Sequence, residues 1–129
     1  MQIVTLTSDT GLQDYYVAAM KGALMNQLPQ AYIVDISHHI RPFDVANAAF
    51  QLRCCYKDFP KGTIHIIGVD SEPTFQGDKI SFPSIMLFEG QYFISNDNGF
   101  FGCFLDEAHP DELYSFTDIV NHPEMWKFP

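Results

Sequence analysis

Basic residues are scarce in this sequence, which has seven lysines and arginines against 16 aspartates and glutamates in 129 residues. The formal net charge at pH 7 is therefore −9. Proteins that bind the phosphate backbone need a basic face, so this balance excludes a general nucleic-acid-binding role. Long apolar runs are missing too. None approaches the roughly 20 residues that a helix needs to cross a bilayer, so we expect no membrane partner.

Cysteines are also few. Cys54, Cys55 and Cys103 have no CxxC spacing, and the adjacent pair cannot easily bridge each other. Because disulfides accumulate in oxidising compartments, we expect reduced thiols in a cytoplasmic protein.

Several motifs of known chemistry are absent. No GxGxxG, GxxxxGK[ST] or GxSxG occurs, which argues against dinucleotide-binding, Walker-type and hydrolase-elbow sites. His38 and His39 lie near Asp35 and Asp44, but adjacent side chains of an extended segment point to opposite sides. The chain also has no HxxxH or HExxH spacing, so we expect no metal site.

The composition that remains is that of an ordered globular protein. Apolar residues make up 47% of the chain and charged residues 18%, which is enough for a packed core. The length favours a single domain over residues 1–129.

Short apolar strands alternate with helices in the first half of the chain. Apolar residues recur every three or four positions over 12–28, which predicts a helix, and Asp44 can cap a second helix that runs to about 56. Nearly continuous apolar runs predict three buried strands, at 2–7, 32–36 and 63–69. This alternation predicts a three-layer α/β/α domain with a mainly parallel central sheet.

The second half of the chain has a different pattern. Two strand-like runs flank Glu89-Gly90 and predict a β-hairpin at 84–95. A short helix at 99–106 and a strand at 113–116 are expected to follow.

Two aspartates follow predicted strands. Asp9 comes after the first strand and Asp70 after the third, so both should lie at one edge of the sheet. The ligand crevice of an open parallel sheet lies beyond the carboxyl ends of its strands. A carboxylate there can accept two hydrogen bonds from a ribose diol or orient a water molecule. The alternative is that each aspartate is only a turn or cap residue.

Phe43 and Asn98 lie in two other loops. Phe43 follows Pro42 in the loop before the second helix, where a ring could stack on a base. Asn98 belongs to the turn NDNG at 96–99, whose amides could point into the same crevice. That turn could equally be only a tight turn and N-cap, and for Gly99 we favour this structural role.

Several segments together resemble one family. TLTSDTGLQDYYV at 5–17, followed by MKG at 20–22, resembles the opening of the S-adenosyl-L-methionine (SAM) hydroxide adenosyltransferases, relatives of the bacterial fluorinase and chlorinase. The likeness runs in order from residue 3 to about 106. The other matching segments are IVDISH at 33–38, PFDV at 42–45, FPKGT at 59–63, VD at 69–70 and DNG at 97–99.

The resemblance implies a small-molecule nucleoside substrate, SAM itself, and no cofactor. In this family, water or halide attacks C5′ of SAM and methionine leaves. By position, Asp9 matches the carboxylate that binds the ribose hydroxyls, Phe43 the aromatic residue near the sugar, and Asp70 the aspartate that positions the water. We therefore expect hydrolysis of SAM to adenosine and methionine, with Asp70 as the catalytic residue and Asp9, Phe43 and Asn98 as substrate-binding residues.

Two departures from the family pattern bear on the chemistry, beside the minor change to Thr10 where the family has phenylalanine. The family has an arginine shortly after the aspartate that matches Asp70, whereas here Lys79 is the nearby substitute and lacks the planar fork of arginine. The family histidine corresponds in place to Phe128-Pro129. The alternative is therefore a catalytically degenerate member that binds adenosine or SAM. Outside the family, an acidic α/β domain that serves as an interaction partner is also possible.

The family also has a C-terminal β domain and forms trimers whose pocket lies between subunits. The resemblance therefore implies that these 129 residues are an N-terminal domain only, which could be a fragment and is expected to be inactive alone. It also implies a homotrimer for the full-length protein. The aromatic content of 15% fits an assembly, because a small core does not bury so many rings.

Overall fold

A computed structural model of the protein describes residues 1–70, 74–76, 79–81 and 83–115. The helices are α1 (Tyr16–Gln27), α2 (Val45–Cys55) and α3 (Phe100–Leu105), and a short 3-10 turn at Tyr56–Asp58 follows α2. The strands are β1 (Ile3–Ser8), β2 (Tyr32–Ser37), β3 (Ile64–Gly68), β4 (Thr74–Gln76), β5 (Lys79–Ser81), β6 (Pro83–Phe88), β7 (Gln91–Asn96) and β8 (Glu112–Ser115). No helix within these described ranges is long and apolar enough to cross a bilayer.

Six of the strands form one mixed sheet in the order β2-β1-β3-β7-β6-β8. β1 pairs in parallel with β2 and β3, and β3 pairs in parallel with β7. β6 then pairs antiparallel with both β7 and β8. The predicted mainly parallel sheet with a hairpin is confirmed, and the parallel half carries the ends of β1 and β3 that the candidate site needs.

Helices cover both faces of the sheet, which confirms the three layers. On one face, Met20 of α1 packs with Val4 and Leu6 of β1. On the other face, α2 and α3 pack over β3, β6 and β7 in a larger core that is rich in phenylalanine, including Phe93, Phe100 and Phe104. Because each strand alternates its side chains between these two cores, the register of β1 and β3 is strongly specified.

Strand β2 is less buried than its apolar sequence predicts. The expectation was a strand covered on both faces, yet 59% of Tyr32 and 38% of Val34 are exposed. The reason is position, because β2 is the outermost strand of the sheet and lies beside β1 alone. A continuous apolar run cannot by itself distinguish a central strand from an edge strand.

Helix α1 begins four residues later than the predicted start at residue 12. The backbone N–H of Gly11 donates to the carbonyl oxygen of His38 over 2.7 Å, which ties this segment to the loop after β2. Residues 12–15 therefore form bends, and the helix starts at Tyr16 once the chain leaves that contact.

The remaining local predictions agree closely with the structure. Asp44 caps α2 by accepting a hydrogen bond from the backbone N–H of Asn47 at 3.1 Å. The hairpin turns at Glu89-Gly90, and Gly99 precedes α3 with a φ of 102°. The β4–β5 hairpin was not predicted, because neither of these three-residue strands has an apolar pattern of its own.

Candidate functional site

The candidate site lies where β1 and β3 end, at the edge of the sheet that the sequence predicted. Asp9 directly follows β1 and Asp70 lies two residues after β3. The loop between β2 and α2 contributes Phe43, and the turn between β7 and α3 contributes Asn98. Parallel pairing of β1 with β3 and of β3 with β7 brings these carboxyl ends together.

The Asp9 carboxylate links two of these loops. Its Oδ2 accepts a hydrogen bond from the backbone N–H of Phe43 at 3.2 Å and a longer one from that of Asp70 at 3.5 Å. Oδ1 accepts none from the part of the chain that the structure describes. Since a carboxylate has about four acceptor positions, the half-buried Asp9 keeps one oxygen for a ligand.

Asn98 fixes the other side of Asp70. Its Nδ2 donates to the carbonyl oxygens of Val69 and Asp70, at 2.9 and 2.7 Å, and its Oδ1 accepts from the N–H of Phe100 at 3.3 Å. The amide therefore joins the end of β3 to the start of α3. Only one acceptor position of Asn98 Oδ1 remains for a ligand. These hydrogen bonds therefore support the interpretation of the turn as a structural element.

Phe43 and Asp70 share an uncommon backbone conformation. Their φ angles are 66° and 50°, in the left-handed region that residues other than glycine rarely adopt. Both donate their N–H to Asp9. Residues held in this way cluster at functional sites, where the surroundings keep them in place. The ring of Phe43 is 73% exposed, which leaves it available to a ligand.

A second hydrogen-bonded set lies beneath the site and was missed by sequence analysis. Lys21 Nζ contacts Asp35 Oδ2 at 2.7 Å, Asp35 Oδ1 contacts His38 Nε2 at 2.7 Å, and His38 Nδ1 contacts Ser8 Oγ at 2.6 Å. We call these four residues the Lys21–Ser8 chain. The burial of Asp35 raises its pKa, but the hydrogen bonds from Lys21 and His38 outweigh this effect, so the pKa lies below its ordinary value.

Sequence analysis considered His38 and Asp35 only as metal ligands. In the structure His38 is buried and the adjacent His39 is exposed, so the two side chains do point to opposite sides. Among the described residues, no group of three or more histidine, cysteine, aspartate or glutamate side chains could hold a metal ion. The signal that could have indicated the chain is the D-x-x-H spacing at 35–38, at the end of a strand.

Two of the residues discussed from sequence cannot be placed. The side chain of Lys79 and the segment Phe128-Pro129 lie outside the described residues. The three cysteines, by contrast, are all described, and each is a free thiol.

These observations define an open α/β domain with a candidate ligand site beyond the carboxyl ends of its parallel strands. The model of the family described as "SAM hydroxide adenosyltransferase N-terminal domain" matches residues 4–128. The chain therefore belongs to this family, and its resemblance to the family is confirmed.

Individual relatives agree with this assignment. An (R)-S-adenosyl-L-methionine hydrolase from Methanocaldococcus jannaschii is 37% identical over 105 residues, which cover 78% of this chain and 38% of that protein. A fluorinase from Nocardia brasiliensis is 37% identical over 62 residues, covering 48% of this chain and 21% of the fluorinase. A solved structure of an uncharacterized conserved protein from Thermotoga maritima matches with a TM-score of 0.78 and 29% identity, covering 92% of this chain and 43% of that one.

The chain is thus shorter than the proteins it resembles, at less than half the length of each. SAM is the substrate named for the hydrolase relatives, which makes it a reactant of the family and no resident cofactor.

Proposed function

We propose that this domain supplies the nucleoside-binding half of an enzyme that hydrolyses SAM to adenosine and methionine. The observation that carries the proposal is the Asp9 carboxylate, which joins the backbones of Phe43 and Asp70 at the carboxyl edge of the sheet. The hydrolase relatives support the choice of reaction, since the one from M. jannaschii aligns with 78% of this chain.

Asp9 is the proposed ribose-binding group. Its Oδ2 is occupied by two backbone N–H groups, so the hydroxyls of a ribose would donate to Oδ1. Hydrogen bonds to a charged acceptor are stronger than those between neutral groups, which favours a ligand with two adjacent hydroxyls. Phe43 would cover an apolar part of the same nucleoside with its exposed ring.

Asp70 is the proposed water-positioning residue. The oxygen of a water molecule forms a bond to C5′, while the bond between C5′ and the sulfonium sulfur breaks and its electron pair leaves with methionine. One proton is released from the attacking water, and the Asp70 carboxylate can accept it or orient the O–H that loses it. A sulfonium is already a good leaving group, so the protein has mainly to hold the reactants in line.

A second candidate is binding without turnover. Both arginines of the sequence, Arg41 and Arg53, precede Asp70, so no arginine follows it as in the family pattern. Lysine is a compact point charge and does not reproduce the two parallel hydrogen bonds of a guanidinium. This observation favours a member that keeps the nucleoside site but has lost the reaction.

Two measurements on one preparation of the full-length protein separate these candidates. Calorimetry with adenosine tests binding, and chromatography of SAM incubations in ¹⁸O-labelled water tests for adenosine that carries the label at its 5′ oxygen. Labelled adenosine supports the hydrolase, and adenosine binding without product supports the binding-only member. If neither binding nor product is found, the nucleoside function is wrong.

We further propose a cytoplasmic location and, for the full-length protein, a homotrimer. The free thiols of Cys54, Cys55 and Cys103 support a reducing compartment. Large exposed apolar side chains support an assembly, among them Tyr32 and Phe50, each 59% exposed.

A further inference from the structure

The Lys21–Ser8 chain ends directly beside the proposed ribose-binding residue. Ser8 precedes Asp9 in the sequence, and the side chains that lead to it run from α1 through the end of β2. Ser8 and His38 are only 1% and 2% exposed. Buried polar side chains are costly unless they are hydrogen-bonded, and here both ring nitrogens of His38 have a partner.

The Lys21–Ser8 chain contains the three residue types of a serine–histidine–aspartate triad. Its geometry nevertheless excludes a nucleophilic role for Ser8. A nucleophilic hydroxyl must reach a substrate, whereas Ser8 is buried and its Oγ has a second polar neighbour, Thr10 Oγ1, at 3.1 Å. The Lys21–Ser8 chain therefore has a structural effect, which is to hold the backbone around Ser8 in position.

The loop that carries His38 holds the segment around Asp9 at several further points. The His38 carbonyl oxygen accepts from Gly11 N–H at 2.7 Å, and the Ser8 carbonyl oxygen accepts from Ile40 N–H at 3.3 Å. Phe43 N–H, from the same loop, reaches the Asp9 carboxylate. The backbone on both sides of Asp9 and its side chain are thus held by one loop, and His38 is the buried residue at the base of that loop.

Asp35 determines how His38 meets Ser8. A carboxylate can only accept, so His38 Nε2 carries a proton and donates it to Asp35 Oδ1. With Nε2 held by Asp35, Nδ1 is the ring nitrogen that meets the Ser8 hydroxyl, 2.6 Å away. Lys21 holds the other oxygen of Asp35, so the carboxylate that orients His38 is itself held by an ion pair.

We propose that Asp35 and His38 are positioning residues for nucleoside recognition, and that they act through Ser8 to hold Asp9 where it meets the ribose hydroxyls. This inference rests on the proposed adenosine-binding function. It assigns a role in ligand recognition to two residues that would touch neither the ligand nor the water.

The test uses Asp35→Asn in the full-length protein, because the resemblance places part of the ligand pocket outside these 129 residues. Asp35 is exposed, so the variant is expected to fold, and it removes the charge while keeping a side chain of the same shape. We expect adenosine to bind about fivefold more weakly, as is typical of residues coupled through one hydrogen-bond network. Binding of 2′,3′-dideoxyadenosine, which has no hydroxyls for Asp9, should be unchanged. His39→Ala is the matched control, because His39 is exposed and next to His38, and it should leave both affinities unchanged.

A ligand-free measurement keeps the positioning role separate from the proposed function. Amide resonances of Gly11 and Phe43 should shift in Asp35→Asn and remain in place in His39→Ala. Unchanged resonances in Asp35→Asn would overturn the inference whether or not adenosine binds. If the full-length wild-type protein binds no adenosine, the proposed function fails, and these resonances alone decide whether the Lys21–Ser8 chain positions the loop.

A double variant tests whether the residues of the Lys21–Ser8 chain act on Asp9 through one shared path. Ser8→Ala combined with Asp35→Asn should weaken adenosine binding no more than the stronger single change, because each breaks the same path. Additive losses would contradict the inference. An equal loss of adenosine and dideoxyadenosine binding would also overturn it, since that pattern indicates a general structural effect.

Discussion

His65 Nε2 of β3 lies 2.6 Å from Gln91 Oε1 of the neighbouring strand β7. This contact determines which ring nitrogen of His65 carries the proton. Gln91 Nε2 donates to the carbonyl oxygens of Tyr56 and Phe59, so Oε1 faces His65 and can only accept. Nδ1 of the neutral ring then accepts from Thr5 Oγ1 at 2.7 Å. The ring is fully buried and has no place for a second proton without a rearrangement of Thr5.

The first prediction is a loss of stability at mildly acidic pH. Burial lowers the pKa of His65 from 6.5, although the bond to Gln91 opposes this. The unfolded chain therefore takes up a proton below about pH 6.5 that the folded chain does not bind, and the free energy of unfolding falls as the pH drops through that window. Urea unfolding at pH 7.5 and 5.5 measures this difference. In His65→Gln, which cannot titrate, the contribution should vanish, and an undiminished pH dependence there would assign the effect to other groups.

The second prediction concerns ribose recognition. Asp9→Ala removes the acceptor for the ribose hydroxyls and should weaken adenosine binding roughly tenfold or more, since hydrogen bonds to charged groups contribute about 1.5–3 kcal/mol each. Calorimetry with 2′,3′-dideoxyadenosine is the control, because its affinity should depend little on Asp9. Equal losses for both ligands would mean that Asp9 is only a structural link between the loops.

The third prediction separates binding from turnover at Asp70. Asp70→Asn is the suitable change, because asparagine tolerates the left-handed backbone found there, with a φ of 50°. Adenosine affinity should change little, whereas any formation of adenosine from SAM should fall by about 10²-fold or more, the usual range for a lost general base. Product formation that survives this change would contradict the water-positioning role.

The fourth prediction compares two glycines. Gly90 has a φ of 78°, and a Cβ added there would lie 3.0 Å from Lys61 Cγ, so Gly90→Ala should destabilise the hairpin by about 1–2 kcal/mol. Gly22 lies within α1, and a Cβ there would meet nothing within 4 Å. Gly22→Ala should therefore stabilise the protein by about 0.5–1 kcal/mol. Chemical denaturation of both variants measures the contrast, and similar effects at the two positions would refute it.

The fifth prediction concerns assembly. Light scattering of the full-length protein at micromolar concentration should give the mass of three chains, because exposed rings such as Tyr32 and Phe50, each 59% exposed, favour burial against a partner. A monomer under these conditions would contradict the homotrimer.

Much of the fold could be predicted from the sequence because it depends on short-range signals. Asp44 caps a helix through a residue three positions away, and Glu89-Gly90 closes a hairpin between adjacent strands. The meeting of Asp9 and Asp70 was also predictable, although they are 61 positions apart, because parallel strands place their carboxyl ends at one edge.

Other features depended on contacts between segments that are distant in the sequence. The apolar residues of β2 indicated a strand, but the exposure of Tyr32 and Val34 follows from its place at the edge. The late start of α1 similarly follows from the bond between Gly11 and His38, which no local pattern indicates.

The sequence by itself determined the strand–helix alternation, the parallel sheet and the edge at which its acidic residues meet, since local residue patterns define the elements and alternating strands and helices favour parallel strands. Only the tertiary structure decided that Asp9 accepts from Phe43 N–H, and that His38 joins Ser8 to Asp35 beneath the site. Ser8 and His38 are 30 positions apart and Asp9 and Phe43 are 34 apart, and both pairs depend on how two loops meet after folding. Such contacts result from the packing of whole elements, which leaves no periodic trace in the order of the residues.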